Sequence, residues 1–155
     1  MPRRNDRSSH SVLSHADGLA ASSADIILLI ARILLAWAFV RSGYGKLFNF
    51  DATVAGYVAR GIPTAVAYLA IPVEFFGGLA LMFGFATRYM AILLFAFTLI
   101  ATLTSHRYWE FTEAVTQRAQ ASNFYKNMSM LGGFAALFVC GGGRFSLDGW
   151  LRKRG

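Results

Sequence analysis

Four blocks of apolar sequence, residues 26–48, 63–83, 87–105 and 124–140, decide what this chain can fold into. A helix needs about 20 mostly apolar residues to cross the hydrocarbon core of a bilayer, and each block is roughly that long. Inside lipid only helices and closed barrels satisfy their own backbone groups. A barrel is excluded because no block alternates with period two. A soluble bundle would also bury apolar surface, but each of its helices would carry a polar face, and the third and fourth blocks hold almost no charge. With 55% of residues hydrophobic, the whole chain agrees with the membrane reading. The sequence predicts an all-α fold: an antiparallel bundle of four transmembrane helices over residues 25–143, preceded by a disordered arm at 1–24 and followed by a basic tail at 144–155.

The net charge of +7 reads as a topology signal rather than a nucleic-acid footprint, and membrane lipid is the expected surrounding. If four helices span, Arg3, Arg4, Arg7, Arg88, Arg144, Arg152, Lys153 and Arg154 share one side, and Arg41, Lys46, Arg60, Arg107, Arg118 and Lys126 the other. The compact basic clusters at both termini place them in the cytoplasm of a bacterial inner membrane. Arg3-Arg4 has the form of an export pair, but polar residues fill the positions that follow, so helix 1 reads as an uncleaved anchor. The single cysteine, Cys140, excludes an intrachain disulfide and with it dithiol exchange within this chain. It reads as a small packing residue.

Inside the second block sits Glu74. A carboxylate at the centre of a span costs several kcal/mol unless it is paired or protonated. Arg32 is the charge well inside helix 1, and it is the expected partner. Counted from helix entry near residue 25, Arg32 lies about 10 Å deep, while Glu74, counted back from Gly84, lies about 15 Å deep. A long side chain bridges that offset. Such a pair marks either a site, with Glu74 and Arg32 as catalytic candidates, or a lock on helix register.

Arg32, Ala36, Phe39, Gly43, Lys46 and Phe50 fall on one face of helix 1, which should look into the bundle. A short interfacial helix is expected over residues 52–60, a kink at Pro72, and a tight turn from Gly84 to Thr87 that makes helices 2 and 3 neighbours. If helix 3 continues, His106, Glu110, Glu113 and Gln117 share a stripe whose readings are a solvated surface, a substrate or partner contact, or a divalent metal site; no metal is assigned. Helix 4 is expected to begin near Asn123, to pack through Ser129, Gly132, Gly133, Ala136 and Cys140, and to end at Gly141-Gly142-Gly143. Lys46, His106, Glu110, Lys126 and Asn127 gather at the end opposite the termini. Two polar levels joined by an apolar interior suit an amphipathic ring ligand, with Lys46, Gly43, His106 and Asn127 as binding candidates.

Several stretches together resemble the DoxX family of small four-helix membrane proteins. They are the helix-1 arginine followed by Ser42-Gly43-Tyr44-Gly45-Lys46-Leu47, and Glu74-Phe75-Phe76-Gly77-Gly78 with Gly84 and Arg88. To these are added His106, Asn127 and Gly141-Gly142-Gly143-Arg144-Phe145-Ser146-Leu147-Asp148. The family includes small subunits of thiosulfate:quinone oxidoreductases and partners of redox-defence proteins. The resemblance implies a membrane subunit of a quinone-linked oxidoreductase or redox-defence complex, with quinone as the cofactor and a redox subunit as partner; a homo-oligomer is compatible with it. No haem, flavin, iron–sulfur or dinucleotide signature is present. The rival reading is a non-catalytic membrane scaffold or small-molecule carrier whose Arg–Glu pair is structural.

Overall fold

The computed structural model describes the backbone of residues 7–154 and the side chains of residues 14–154. Its elements are α1 (Arg7–Phe48), α2 (Phe50–Val58), α3 (Thr64–Phe83), α4 (Thr87–Ser105), a 3-10 turn (Tyr108–Glu110), α5 (Ala114–Cys140) and α6 (Leu147–Leu151). All are helical. Among the described residues three stretches are long and apolar enough to cross a membrane: Ser14–Phe48, Thr64–Phe83 and Thr87–Glu110. At 27 residues α5 has the length, but Gln117, Arg118, Gln120, Asn123, Lys126 and Asn127 dilute its first half.

The helices assemble as two intimate pairs, α1 on α3 and α4 on α5, joined by the neighbouring α3 and α4. Small residues set the first pairing. A Cβ on Gly43 would stand 2.8 Å from the Phe75 backbone, and one on Gly78 would stand 2.9 Å from Phe39 Cβ. Gly84 likewise faces the Arg32 guanidinium, so numbering falls along α3 as it rises along α1. Between the pairs, Ala36, Phe39, Leu81, Leu94, Phe134 and Leu137 form the main apolar core. Phe39 meets Phe134 edge-on at 5.5 Å. A second, smaller cluster of Val54, Ala67 and Ile71 seats α2 against α3.

Two boundaries differ from expectation. The helix begins at Arg7 and runs through residues 7–24, expected to be a disordered arm; extending a helix that is already nucleated needs no new nucleus, and Ala16, Ala20, Ala21 and Ala24 favour it. The Arg3-Arg4 pair lies outside the described residues. Helix α5 starts at Ala114 rather than near Asn123, because Glu113 caps it, accepting from the N–H groups of Val115 at 2.9 Å and Thr116 at 2.6 Å. Apolar patterning carries no trace of such a cap. The interfacial helix is present as α2, and α3 runs on through Pro72. At its end Gly84 takes φ +68°, and Phe85 N–H closes on the Ala80 carbonyl at 2.9 Å.

Candidate functional site

Lys46 and Glu74 make the ion pair at the centre of the site. Lys46 sits on the last turn of α1 and Glu74 in the middle of α3, and Lys46 Nζ donates to Glu74 Oε2 at 2.6 Å. The Glu74 side chain is 6% exposed and that of Lys46 30%, so the carboxylate is buried and the ammonium reaches it from a cavity. That cavity holds about 290 Å³ between the two helix pairs. Besides the ion pair, its polar lining includes Tyr57, Arg60, Thr98, His106, Lys126 and Asn127. The Lys46 ammonium also lies 5.8 Å from the centre of the Tyr57 ring.

A hydrogen-bond relay supports the α4–α5 wall. Asn127 Nδ2 donates to Thr102 Oγ1 at 3.0 Å, and that hydroxyl donates back to the Thr98 carbonyl at 2.6 Å. His106 Nδ1 lies 2.8 Å from Gln120 Oε1, which ties the end of α4 to α5. Among the described residues two buried hydroxyls have no partner, those of Thr87 and Thr98, and only Thr98 lines the cavity. An unpaired hydroxyl is costly in an apolar interior.

Arg32 does not meet Glu74, contrary to the expected pair. It is 1% exposed, and its guanidinium donates to three carbonyls: Met82 at 3.1 Å, Gly142, and Phe145 at 2.7 Å. The register explains the correction. Arg32 stands beside Gly84, ten residues from Glu74 and so about 15 Å along the axis. Asp25 and Leu28 flank the C-terminal loop at Gly143, and Asp25 Oδ1 accepts from Arg144 N–H at 2.7 Å, so Arg32 sits between that loop and the end of α3.

Around Arg32 the loop after α5 closes the bundle. The Asp148 carboxylate accepts from Ala86 N–H and Thr87 N–H, each at 2.7 Å, capping the start of α4. In return Asp148 N–H donates to the Gly84 carbonyl at 2.9 Å. Partial burial raises the Asp148 pKa, but the bonds from Thr87 and Ala86, with Arg152 nearby, outweigh it and leave the carboxyl below its ordinary value. No space remains: a Cβ on Gly142 would lie 2.5 Å from Thr87 Oγ1, and one on Gly149 would lie 2.7 Å from the Gly143 carbonyl.

Of the residues singled out from sequence, Glu74, Lys46, His106 and Asn127 come together around the cavity. Gly43 is instead a packing contact for Phe75, and Arg32 belongs to the closing loop. The stripe of His106, Glu110, Glu113 and Gln117 does not form, because α4 stops at Ser105. Glu110 pairs with Arg107 at 2.9 Å, and Glu113 serves as the α5 cap, whose bonds from Thr116 and Val115 lower its pKa. Cys140 is exposed rather than packed. Tyr57 and Thr98 were missed as site residues. Tyr57 sits on a short connecting helix and Thr98 is one of three threonines in the second half of α4, so no local pattern assigns either one to a cavity.

The chain is 37% identical over 130 residues to "Inner membrane protein YqjF" of Escherichia coli strain K12, covering 84% of this chain and 95% of that protein. It is 36% identical over 126 residues to "Inner membrane protein YphA" of the same strain, covering 79% and 89%. A shorter match, 32% over 81 residues, reaches "Putative oxidoreductase CatD" of Bacillus subtilis strain 168, covering 52% of this chain and 60% of that one. No solved structure matches. The DoxX family profile matches residues 27–107, the segment that carries Arg32, Lys46, Glu74, Thr98 and His106; the chain is a member of the DoxX family.

Proposed function

We propose that the chain is the membrane subunit of a quinone-linked oxidoreductase and binds the quinone head in the Lys46–Glu74 cavity. The observation that carries this reading is a buried, ion-paired carboxylate beside an open cavity, with a buried hydroxyl, Thr98, left without a partner on its wall. In this reading α1, α3, α4 and α5 all cross the bacterial inner membrane as an antiparallel bundle, both termini lie in the cytoplasm, and a partner subunit exchanges electrons with the site. The relative named as an oxidoreductase supports the class of reaction.

The residues present suit a quinone. Lys46 and Asn127 are donors for ring carbonyls, Thr98 can donate or accept, and the apolar helices exclude water from the ring. A bound quinone would supply two-electron, two-proton redox chemistry. Glu74 would hold and pass a proton at Oε2, with Lys46 keeping the carboxylate compensated between transfers. His106, fixed through Nδ1 against Gln120, is placed to relay protons at the cavity mouth. Arg32 has no part in this chemistry, since its three donated bonds hold backbone.

The test is mass spectrometry of lipid extracted from the gently purified protein and from Glu74→Gln. Quinone retained by the native chain and lost from a folded Glu74→Gln supports the reading. Absence of quinone from native protein that still reduces or oxidises none in membranes would shift the assignment to a scaffold or carrier, a reading favoured by the completeness of the Lys46–Glu74 pair on its own.

A further inference from the structure

A second cavity of about 540 Å³ adjoins the first. Its walls are the first half of α3, through Val66, Leu69 and Ala70, and the second half of α4, through Ile100 and Leu103. Arg60 and Arg107 are its only charged lining residues. Val66 is 51% exposed, Leu69 65% and Ile100 61%, so this trough opens sideways onto the surface that faces lipid in the reading above. The two cavities are not separate: Tyr57, Arg60, Phe97, Ala101 and Ser105 line both.

We infer that the two cavities form one site for a ligand with a polar ring head and a hydrocarbon chain, the head at Lys46–Glu74 and the chain in the α3–α4 trough. The head assignment rests on the quinone reading; the chain assignment rests on the shared wall. Each part has the chemistry its half of such a ligand requires: charge and hydrogen-bond donors in the small cavity, aliphatic side chains in the large one. Volumes of this order suit molecules of drug size, and neither cavity alone pairs a polar head with an apolar bay.

Tyr57 and Arg60 are the joint. Arg60 Nε donates to the Gly56 carbonyl at 2.9 Å, and its guanidinium lies 5.2 Å from the centre of the Tyr57 ring. Both belong to α2 and the turn after it, where that short helix leans on α3 through Val54. A ligand that slides in from the bilayer would keep its chain against lipid throughout and pass only its head beneath Tyr57. Chain length, and not ring chemistry alone, becomes a determinant of specificity.

The experiment uses the full chain in nanodiscs and two photoreactive probes of equal length, each with a diazirine at the chain end: a decyl quinone and a fatty acid. Labelled peptides are mapped by mass spectrometry, with and without a chainless quinone as competitor, in native protein, Glu74→Gln and Ala101→Phe. The expected result is quinone-probe labelling on α3 and α4 between residues 66 and 103. Chainless quinone and Glu74→Gln should each reduce it by roughly tenfold, the loss of one charge-assisted anchor, and Ala101→Phe should abolish it by blocking the joint. Trough labelling indifferent to competitor and to both substitutions would mean a general lipid groove and would overturn the inference, as would no labelling by either probe. If only the fatty acid labels the trough, and does so only with Glu74 and Ala101 intact, the joined site stands and the quinone reading falls.

Discussion

The bundle has two polar ends, and they treat buried charge in opposite ways. At the closed end Arg32 is enveloped by carbonyls of Met82, Gly142 and Phe145, and Asp148 by the N–H groups of Ala86 and Thr87. Backbone answers each charge, and glycines at 84, 142 and 149 leave no volume. At the open end one side chain answers another, Lys46 to Glu74, beside a cavity, and of the two buried hydroxyls without a partner Thr98 faces that cavity while Thr87 stands in the filled space. Charge met by backbone in a filled space orders a fold. Charge met by charge on the wall of a cavity leaves chemistry available.

The sharpest way to break this contrast is Arg32→Ala. The substitution strips three carbonyls of their donor and opens a void, a loss of roughly 3–5 kcal/mol, against a total of about 5–15 kcal/mol for a typical domain. Thermal unfolding followed by size exclusion in detergent should show a protein that barely assembles. Arg32→Lys should rescue only in part, because an ammonium lacks the planar fork that reaches divergent acceptors. A variant Arg32→Ala that folds normally but loses ligand would reverse the roles assigned to the two ends.

Lys46→Met should cost less, about 1–3 kcal/mol, since it leaves a single carboxylate unpartnered beside a cavity that admits water. Adding Glu74→Leu should recover most of that stability, as removal of a whole buried pair often does. Ligand retention should vanish in the single and the double variant alike. A double-mutant cycle on melting midpoints, run beside quinone retention, separates the two effects.

These contrasts show what the sequence revealed and what it withheld. Apolar blocks located α1, α3 and α4, and of the five residues placed on one level Lys46, His106, Lys126 and Asn127 line one cavity, while Glu110, beyond the end of α4, does not. Pairing across helices failed because depth was counted from Asp25, taken as the start of helix 1. The helix passes through that point, and the level of Gly84 is reached only at Arg32. An error of one or two turns sent Glu74 to the wrong cation. The role of Asp148 was invisible for a related reason: it caps a helix 61 residues away in sequence, and long-range caps leave no periodic signal.

Asp148→Asn keeps the size of the α4 cap but removes its charge and one of its two acceptor oxygens, so either Ala86 N–H or Thr87 N–H loses its partner, and a cap of this kind contributes about 0.5–2 kcal/mol. The pH dependence follows from the depressed pKa. The folded carboxyl titrates below its unfolded value, so its contribution is complete above the ordinary aspartate range and disappears as pH falls through the lower folded value. Glu113, depressed by its own cap bonds, acts in the same direction. Melting midpoints measured from neutral pH to below the ordinary aspartate range should therefore fall, and Asp148→Asn should flatten the acid limb without changing ligand retention.

The smallest stability effect is the most telling between the two ends. Thr98→Val replaces a partnerless buried hydroxyl with a methyl group of nearly the same shape, which should leave stability unchanged or raise it by up to about 1 kcal/mol. Thr87→Val makes the same exchange at the closed end, where the Thr87 hydroxyl is likewise buried without a partner among the described residues but stands in a filled space, and should change stability equally little. Quinone retention should separate the two, falling with Thr98→Val, whose residue lines the cavity, and holding with Thr87→Val, whose residue does not. Matched melting curves and lipid extracts of the two variants read both outcomes. If Thr98→Val melts lower and keeps its quinone, the hydroxyl serves the fold rather than a ligand, and the open end loses one of the contacts assigned to its cavity.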